Sequence, residues 1–325
     1  MAYGKAIRAA AWSAVALGAA APLVRRRLRV RPSAVVAAAA GAPVALTFVM
    51  PRSRVRDVAV CTLQMWAYFA AYEIPADDPD RLRSRVRIDY PVRSDTVIGG
   101  GRIPTVRLQQ ALHRDGRFAW WEKVLSWSHW VWFAVPHTAA AYVLLRRPEQ
   151  FPRAAARIYA TFDLGAVVYW AVPTAPPWFA AEAGRIDFGD GPPLRRLMRE
   201  YGEGLWGDRW PQLYDALGGN PLAAMPSLHF GTSVAAAQVL RDTGPVAGAV
   251  GWTYALTLGF ALVYLGEHYV TDLVAGASLA EGVRRATPHV SGPLARVSDA
   301  IGRHAARARA AHARERLRRA PAGTP

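Results

Sequence analysis

Eight apolar runs, parted in all but one case by segments that carry arginine, constrain this chain more than any other feature. They cover residues 6–23, 33–50, 58–74, 121–145, 158–172, 227–240, 246–265 and 270–283. An α-helix rises about 1.5 Å per residue, so about 20 residues cross a hydrocarbon core of about 30 Å. Several runs fall short of that length, and 227–240 and 270–283 span only if flanking residues extend the helix. The chain is 52% hydrophobic yet has a formal net charge of +16. Those figures conflict for an ordinary soluble domain and agree for a membrane protein whose charge is confined to loops. A soluble helical core would have to bury all eight runs among the arginines. The expected class is all-α, a polytopic membrane protein of about eight hydrophobic segments. The basic start of the first run fits a signal peptide, but the spans that follow favour an uncleaved anchor. Cys61 is the single cysteine, which excludes an internal disulfide and zinc ligation by several cysteines. Lys5 and Lys123 are the only lysines, and the Ala, Arg, Gly and Pro usage suggests a GC-rich bacterial genome.

If the last six runs cross in alternation, their ends can be sorted between two sides. One side receives the polar stretch 75–120, the loop 173–225, the start of 227–240 and the start of 270–283. The other receives Arg52, Arg54, Arg56, Arg146, Arg147, Arg153, Arg157 and the arginine-rich tail. Excess arginine in short loops marks the cytoplasmic side, so the first side is expected to face out. RRRLRVR at 25–31 opposes this unless the first hairpin is re-entrant or interfacial.

The unusual polar residues gather on the outer side. His229 stands at the outer end of one run, His268 at the outer end of the last, and PTAPPWF, residues 173–179, leaves a third. His268 and Asp272 are four apart and share a helix face. A carboxylate there can hold the imidazole Nδ1–H and leave Nε2 as nucleophile or base. His229, on a separate helix, can protonate a leaving oxygen. Pro226 and Ser227 begin a helix, where free N–H groups and a hydroxyl favour an anion. Two histidines, a carboxylate and an anion pocket suit phosphoryl transfer through a phosphohistidine. Each piece also has a plainer reading: a structural hydrogen bond, a helix cap, a rigid loop. Function is nevertheless the default reading for ionisable groups at membrane spans.

AAMPSLHF followed by YLGEHYVTDLVAG resembles the type 2 phosphatidic acid phosphatase superfamily. PTAPPW and YPVRSDTVIGGGRIPTVRLQQAL are similar to its inositol phosphorylceramide synthase branch, and the resemblance runs over residues 55–285. It implies a six-helix core with an outward-facing site: a hairpin at 1–50, a catalytic membrane domain at 51–290 and a basic cytoplasmic tail at 291–325. It also implies that His268 attacks phosphorus, Asp272 orients it, His229 protonates the leaving group and Ser227 touches the phosphate. Pro226, Thr174, Pro176, Pro177 and Trp178 join the expected substrate-binding residues. The broader superfamily carries a Lys-x6-Arg-Pro motif and a Ser-Arg pair shortly before the second histidine. Here the first motif is absent, with PTAPPW in its place, and the pair is replaced by Ala261 and Leu262. Positive charge must still meet the phosphate. Arg93, Arg102, Arg107, Arg185 and Lys123 are candidates, with Arg102 and Arg107 carried among the substrate-binding residues. The same departures argue against a vanadium haloperoxidase.

Other features read more plainly. His129 and His137 are about 80° apart on a helix; His129 can reach the pocket but reads first as a buried, hydrogen-bonded histidine. Trp120, Trp121, Trp127, Trp130 and Trp132 read as an interfacial belt. IGGG at 98–101 reads as a flexible loop. The tail, with Arg303, Arg307, Arg309, Arg314, Arg316, Arg318 and Arg319, lacks base-stacking aromatics. It reads as a helix drawn to anionic lipid headgroups or as disorder.

The expected function is a multi-pass enzyme of a bacterial cell membrane that moves a phosphoryl-containing group at a lipid headgroup. It needs no metal or other cofactor and no nucleic acid. Its partners are the bilayer, a phospholipid or lipid-phosphate substrate and a hydroxyl acceptor; its oligomeric state is open. A phosphatase, with water as acceptor, is the alternative within the same chemistry. A transporter with a His/Asp proton relay is the alternative from another class.

Overall fold

Every apolar run folds as helix, and the residues at its ends decide where it stops. The computed structural model describes residues 2–114 and 116–319. The chain begins with three long helices, α1 (Ala2–Val24), α2 (Pro32–Val49) and α3 (Arg54–Glu73). The polar stretch 75–120 then forms short helices, α4 (Pro79–Arg85), α5 (Asp89–Ile98) and α6 (Pro104–Leu112). The tryptophan-rich run gives α7 (Trp120–Trp130) and α8 (Ala134–Arg146), followed by α9 (Phe151–Ala171). The loop after α9 holds α10 (Pro177–Glu182), α11 (Leu197–Trp206) and α12 (Trp210–Gly218). The chain closes on α13 (Leu228–Thr243), α14 (Pro245–Tyr264) and α15 (Val270–Arg319). Ala6–Val24, Pro32–Val49 and Pro245–Tyr264 are long and apolar enough to cross a membrane. The protein is an all-α polytopic membrane protein.

Two runs depart from a single uninterrupted span. Run 121–145 breaks into α7 and α8 at residues 131–133, and Pro136, with no N–H to donate, sits in the first turn after the break. The break separates His129 from His137, so the angle expected along one helix does not apply. The short final run is lengthened as required: α15 continues well past residue 283. Residues 320–325, and the side chains of Arg309, Arg314, Arg316, Arg318 and Arg319, lie outside the described residues.

The chain divides into two compact units, 1–71 with 288–325, and 72–287. In the first, α1 and α2 form an antiparallel hairpin whose contacts centre on Ala11, Ala45, Leu46 and Val49. Trp66 Nε1 donates to the Ala19 carbonyl at 3.1 Å. In the second, α13 is buried along nearly its whole length, with α8, α9 and α14 packed on it. Its small residues, Gly231, Thr232, Ser233 and Ala235 to Ala237, permit this close approach on several faces. The closest approach brings α15 against the start of α13, where any side chain on Gly276 would strike the Ser227 carbonyl. Buried Glu122 ties α7 to its surroundings by accepting from Ala119 N at 2.7 Å and Tyr264 Oη at 2.5 Å. The 72–287 unit thus brings the starts of α13 and α15, distant in sequence, to one point.

Candidate active site

The geometry follows from how these two helix starts are held. Ser227 caps α13, its Oγ accepting from Phe230 N at 3.3 Å. The Tyr169 hydroxyl from α9 donates to the Pro226 carbonyl at 2.8 Å and accepts from Leu228 N at 3.3 Å. His229 then falls in the first turn of α13. The turn before α15 runs through Gly266 at φ +86°, a conformation that side chains resist, and Glu267 and His268 both donate their N–H to the Leu262 carbonyl. Ser227 N–H reaches the Asp272 carbonyl at 2.9 Å and joins the two starts directly.

Asp95 supplies the cap that α15 needs. Its fully buried carboxylate accepts from Val270 N at 2.8 Å, Thr271 N at 2.9 Å and Thr271 Oγ1 at 2.6 Å. Sequence patterning does not mark Asp95, because the helix it caps begins 175 residues later. Asp95→Ala leaves the Val270 and Thr271 N–H groups without an acceptor, while Thr271 Oγ1 keeps Ser94 Oγ at 3.0 Å. It is expected to destabilise the fold by about 3 kcal/mol or more, with Asp95→Asn losing less. Thermal unfolding in detergent measures this, and an unchanged midpoint for the alanine variant would remove Asp95 from the architecture of the site.

The chemistry-bearing groups line up in series. Asp272 Oδ2 lies 3.2 Å from His268 Nδ1 and accepts from Tyr269 N at 3.0 Å. His268 Nε2 lies 3.1 Å from His229 Nδ1. A carboxylate only accepts, so the proton of that pair belongs on His268 Nδ1 and the lone pair on Nε2. His229 Nδ1 is then the donor in the second contact. The arrangement therefore presents an oriented nitrogen lone pair and, beside it, an imidazole N–H available to an oxygen. Asp272 is fully buried and His268 is 4% exposed, while His229 is partly exposed.

Aromatic rings enclose the pair. His129 stacks on His229 at 4.7 Å and Trp132 lies 4.1 Å from it, with Trp132 Nε1 donating to Thr232 Oγ1 at 3.0 Å. The helix break at 131–133 is what turns Trp132 inward, so that residue is not part of a lipid-facing belt. His129 differs from its plainer reading as well: Nδ1 is buried without a bond to any described residue. Asp272 Oδ1 is buried and unpaired in the same sense. A buried polar atom without a partner calls for an explanation, and a catalytic role is one such explanation.

PTAPPW lies alongside as a brace. Thr174 forms bridges with Arg87 on one side and Ala223 on the other, through Thr174 N to the Leu222 carbonyl at 3.0 Å and Ala224 N to the Thr174 carbonyl at 3.1 Å. Its Oγ1 is 2.7 Å from Tyr90 Oη, whose pKa is raised by burial and which therefore stays protonated. Pro176 and Pro177 start α10 and deliver Trp178, whose ring lies 3.9 Å from the Arg196 guanidinium carbon. The candidate cations are dispersed. Arg102 donates to Gln110 Oε1 at 3.3 Å and Arg107 to the Gly99 carbonyl, bonds that hold them in the 99–110 segment rather than at either histidine. Arg93 and Arg185 line a separate open cleft of about 850 Å³ with Arg87, Tyr90 and Ser94, and Arg185 pairs with Asp89. Lys123 is exposed on α7.

Residues 108–283 match the family model described as PAP2 superfamily. The inositol phosphorylceramide synthase of Candida albicans is 27% identical over 225 residues, 67% of this chain and 45% of that protein. The inositol phosphorylceramide synthase catalytic subunit aur1 of Schizosaccharomyces pombe is 28% identical over 217 residues, 62% of this chain and 47% of that protein. The chain thus spans about half the length of the curated relatives it matches. No solved structure matches it.

Proposed function

This chain belongs to the PAP2 superfamily, an enzyme family of lipid phosphotransferases and phosphatases, and we propose that it transfers a phosphoryl-containing headgroup between lipids through a phosphohistidine on His268. The observation that carries the proposal is the series Asp272–His268–His229, with contacts of 3.2 and 3.1 Å. His268 Nε2 attacks phosphorus, and its bond to phosphorus forms as the bond to the leaving oxygen breaks. His229, carried as the imidazolium when the anionic substrate is bound, gives its Nδ1 proton, which is directed at His268 Nε2 before substrate arrives, to that oxygen and is left neutral. Asp272 balances the positive charge that develops on the His268 ring. In the second half the hydroxyl of an acceptor gives its proton back to His229 and takes the phosphoryl group from His268. Ser227 and Pro226, with Thr174, Pro176, Pro177 and Trp178, hold the wall against which the headgroup lies.

Transfer is favoured over hydrolysis by the relatives, both named for a synthase activity. An inositol-phosphate headgroup is accordingly the first donor class to try. The division into a membrane hairpin at 1–50, a catalytic domain at 51–290 and a basic cytoplasmic tail at 291–325 belongs to the same proposal. So does an outward-facing site in a bacterial plasma membrane, on the distribution of short-loop arginine and the composition.

The test uses the full chain in detergent with a total bacterial phospholipid extract supplemented with phosphatidylinositol, alongside His268→Ala. Free phosphate and new phospholipid species are followed together. A His268-dependent phospholipid with little free phosphate is expected. Phosphate alone would make the protein a phosphatase, and neither product from folded protein would count against transfer of these headgroups and make proton-relay transport the next property to test.

A further inference from the structure

Transfer of a phosphoryl group spreads negative charge over its equatorial oxygens, so the site requires a fixed cation. The segment before His268 offers none, since Ala261 and Leu262 are apolar and fully buried. We propose that Arg196 is the cation that holds the phosphoryl oxygens beside His268, an assignment that rests on the phosphotransfer reading above.

Four observations converge on Arg196. Its backbone neighbour is clamped: Gln109 accepts from Arg195 N and donates to the carbonyls of Arg195 and Tyr264, at 2.9, 2.9 and 2.8 Å. The clamp lays Arg195 along the turn before His268, so closely that a side chain on Gly266 would meet the Arg195 carbonyl at 3.0 Å. The guanidinium is flanked by the Trp178 ring at 3.9 Å and the Tyr214 ring at 5.0 Å, a platform that suits a planar cation. Glu267, the residue before His268, accepts from Nε at 3.2 Å and Nη2 at 3.4 Å, and Tyr214 Oη also accepts from Nη2. The charges of Arg196 and Glu267 both reach His129, which stacks on His229.

These contacts fix the plane of the guanidinium and occupy one edge of it. Nη1 bonds no described residue, so two donors of the fork remain for an anion. The side chain is 14% exposed, and Glu267 offsets the cost of withdrawing its charge from water. A lysine could not use the same platform and fork. PTAPPW thereby acquires a second role, since its tryptophan is the surface on which the cation rests.

The rival account is purely structural: Arg196 and Glu267 pin the loop to the turn. The two accounts separate because they predict different signs at Glu267. The probe is orthovanadate, an analogue of the pentacoordinate phosphoryl group, titrated against the full chain in detergent by vanadium NMR, together with His268-dependent turnover of the phospholipid extract. Arg196→Gln is expected to weaken vanadate binding and lower turnover by about 10²-fold. Glu267→Gln, which removes a competing negative charge, is expected to leave vanadate binding as tight or tighter. Equal losses in the two variants would overturn the proposal, as would Arg196→Gln binding vanadate like the wild type. Should the glutamine variant not fold, Arg196→Lys decides: vanadate binding about tenfold weaker is expected, and wild-type affinity would overturn the assignment. If the wild type itself shows no His268-dependent turnover, the phosphotransfer reading fails first, and that failure is visible before any Arg196 variant is compared.

Discussion

Replacing His268 with alanine is expected to lower turnover by roughly 10⁴-fold or more, the scale seen when the nucleophile of a catalytic unit is removed. The loss follows from position. His268 Nε2 is the one nitrogen in the series whose lone pair is oriented by a buried carboxylate. The same variant should lose a chemical signature. With radiolabelled lipid phosphate, the quenched wild type should carry label that survives alkali and is released by acid, as an N–P bond requires. His268→Ala should carry none. A parallel His229→Ala separates nucleophile from acid. Its loss of about 10²- to 10⁴-fold should shrink with a substrate whose leaving group needs no proton, whereas that of His268→Ala should not. Label retained on folded His268→Ala would show that phosphorus is attacked by something else.

The alanine variant is expected to keep the fold of the wild type. Tyr269 N still finds Asp272 Oδ2, and Ser227 N still finds the Asp272 carbonyl, so the two helix starts remain joined without the imidazole. Asp95 continues to cap α15. Activity and unfolding should therefore part company at His268 and move together at Asp95.

How much of this was legible depended on the range of each interaction. The helices were legible because apolar runs in a membrane have no alternative, and the His268–Asp272 pair because four residues make one helical turn. That His229 meets them was suggested only by sorting helix ends between two sides, a coarse argument that says nothing of a 3.1 Å contact. The break at 131–133 was hidden because Val131, Trp132 and Phe133 are as apolar as their neighbours. Its reason is tertiary, the bond from Trp132 to Thr232 and the stacking on His229. Asp95 and Gln109 were invisible for a related reason: each serves a backbone more than 80 residues away. Arg196 was passed over although it lies in the same loop, 173–225, as Arg185. One arginine in a loop resembles another until the fold shows which of them meets Trp178 and Glu267.

Asp272→Asn should be the second most damaging change, with turnover reduced by roughly 10³- to 10⁴-fold and substrate affinity little altered. The amide is nearly the same size and has two ways to sit. With its oxygen in place of Oδ2, it still accepts from Tyr269 N and His268 Nδ1 but no longer balances the charge on a phosphorylated imidazole, and its NH2 occupies the orphaned Oδ1 position without an acceptor. With its nitrogen there, it donates to His268 Nδ1 and forces the ring proton to Nε2, which removes the lone pair that attacks. Both placements slow the chemical step and leave Ser227, Pro226 and Trp178, the wall proposed for the headgroup, in place. The prediction is thus a fall in kcat with KM within about threefold, measured with the donor and acceptor identified for the wild type. A KM raised in proportion, with kcat preserved, would mean that Asp272 supports binding rather than the nucleophile. A kcat within tenfold of wild type would mean that His268 does not depend on it for orientation or charge.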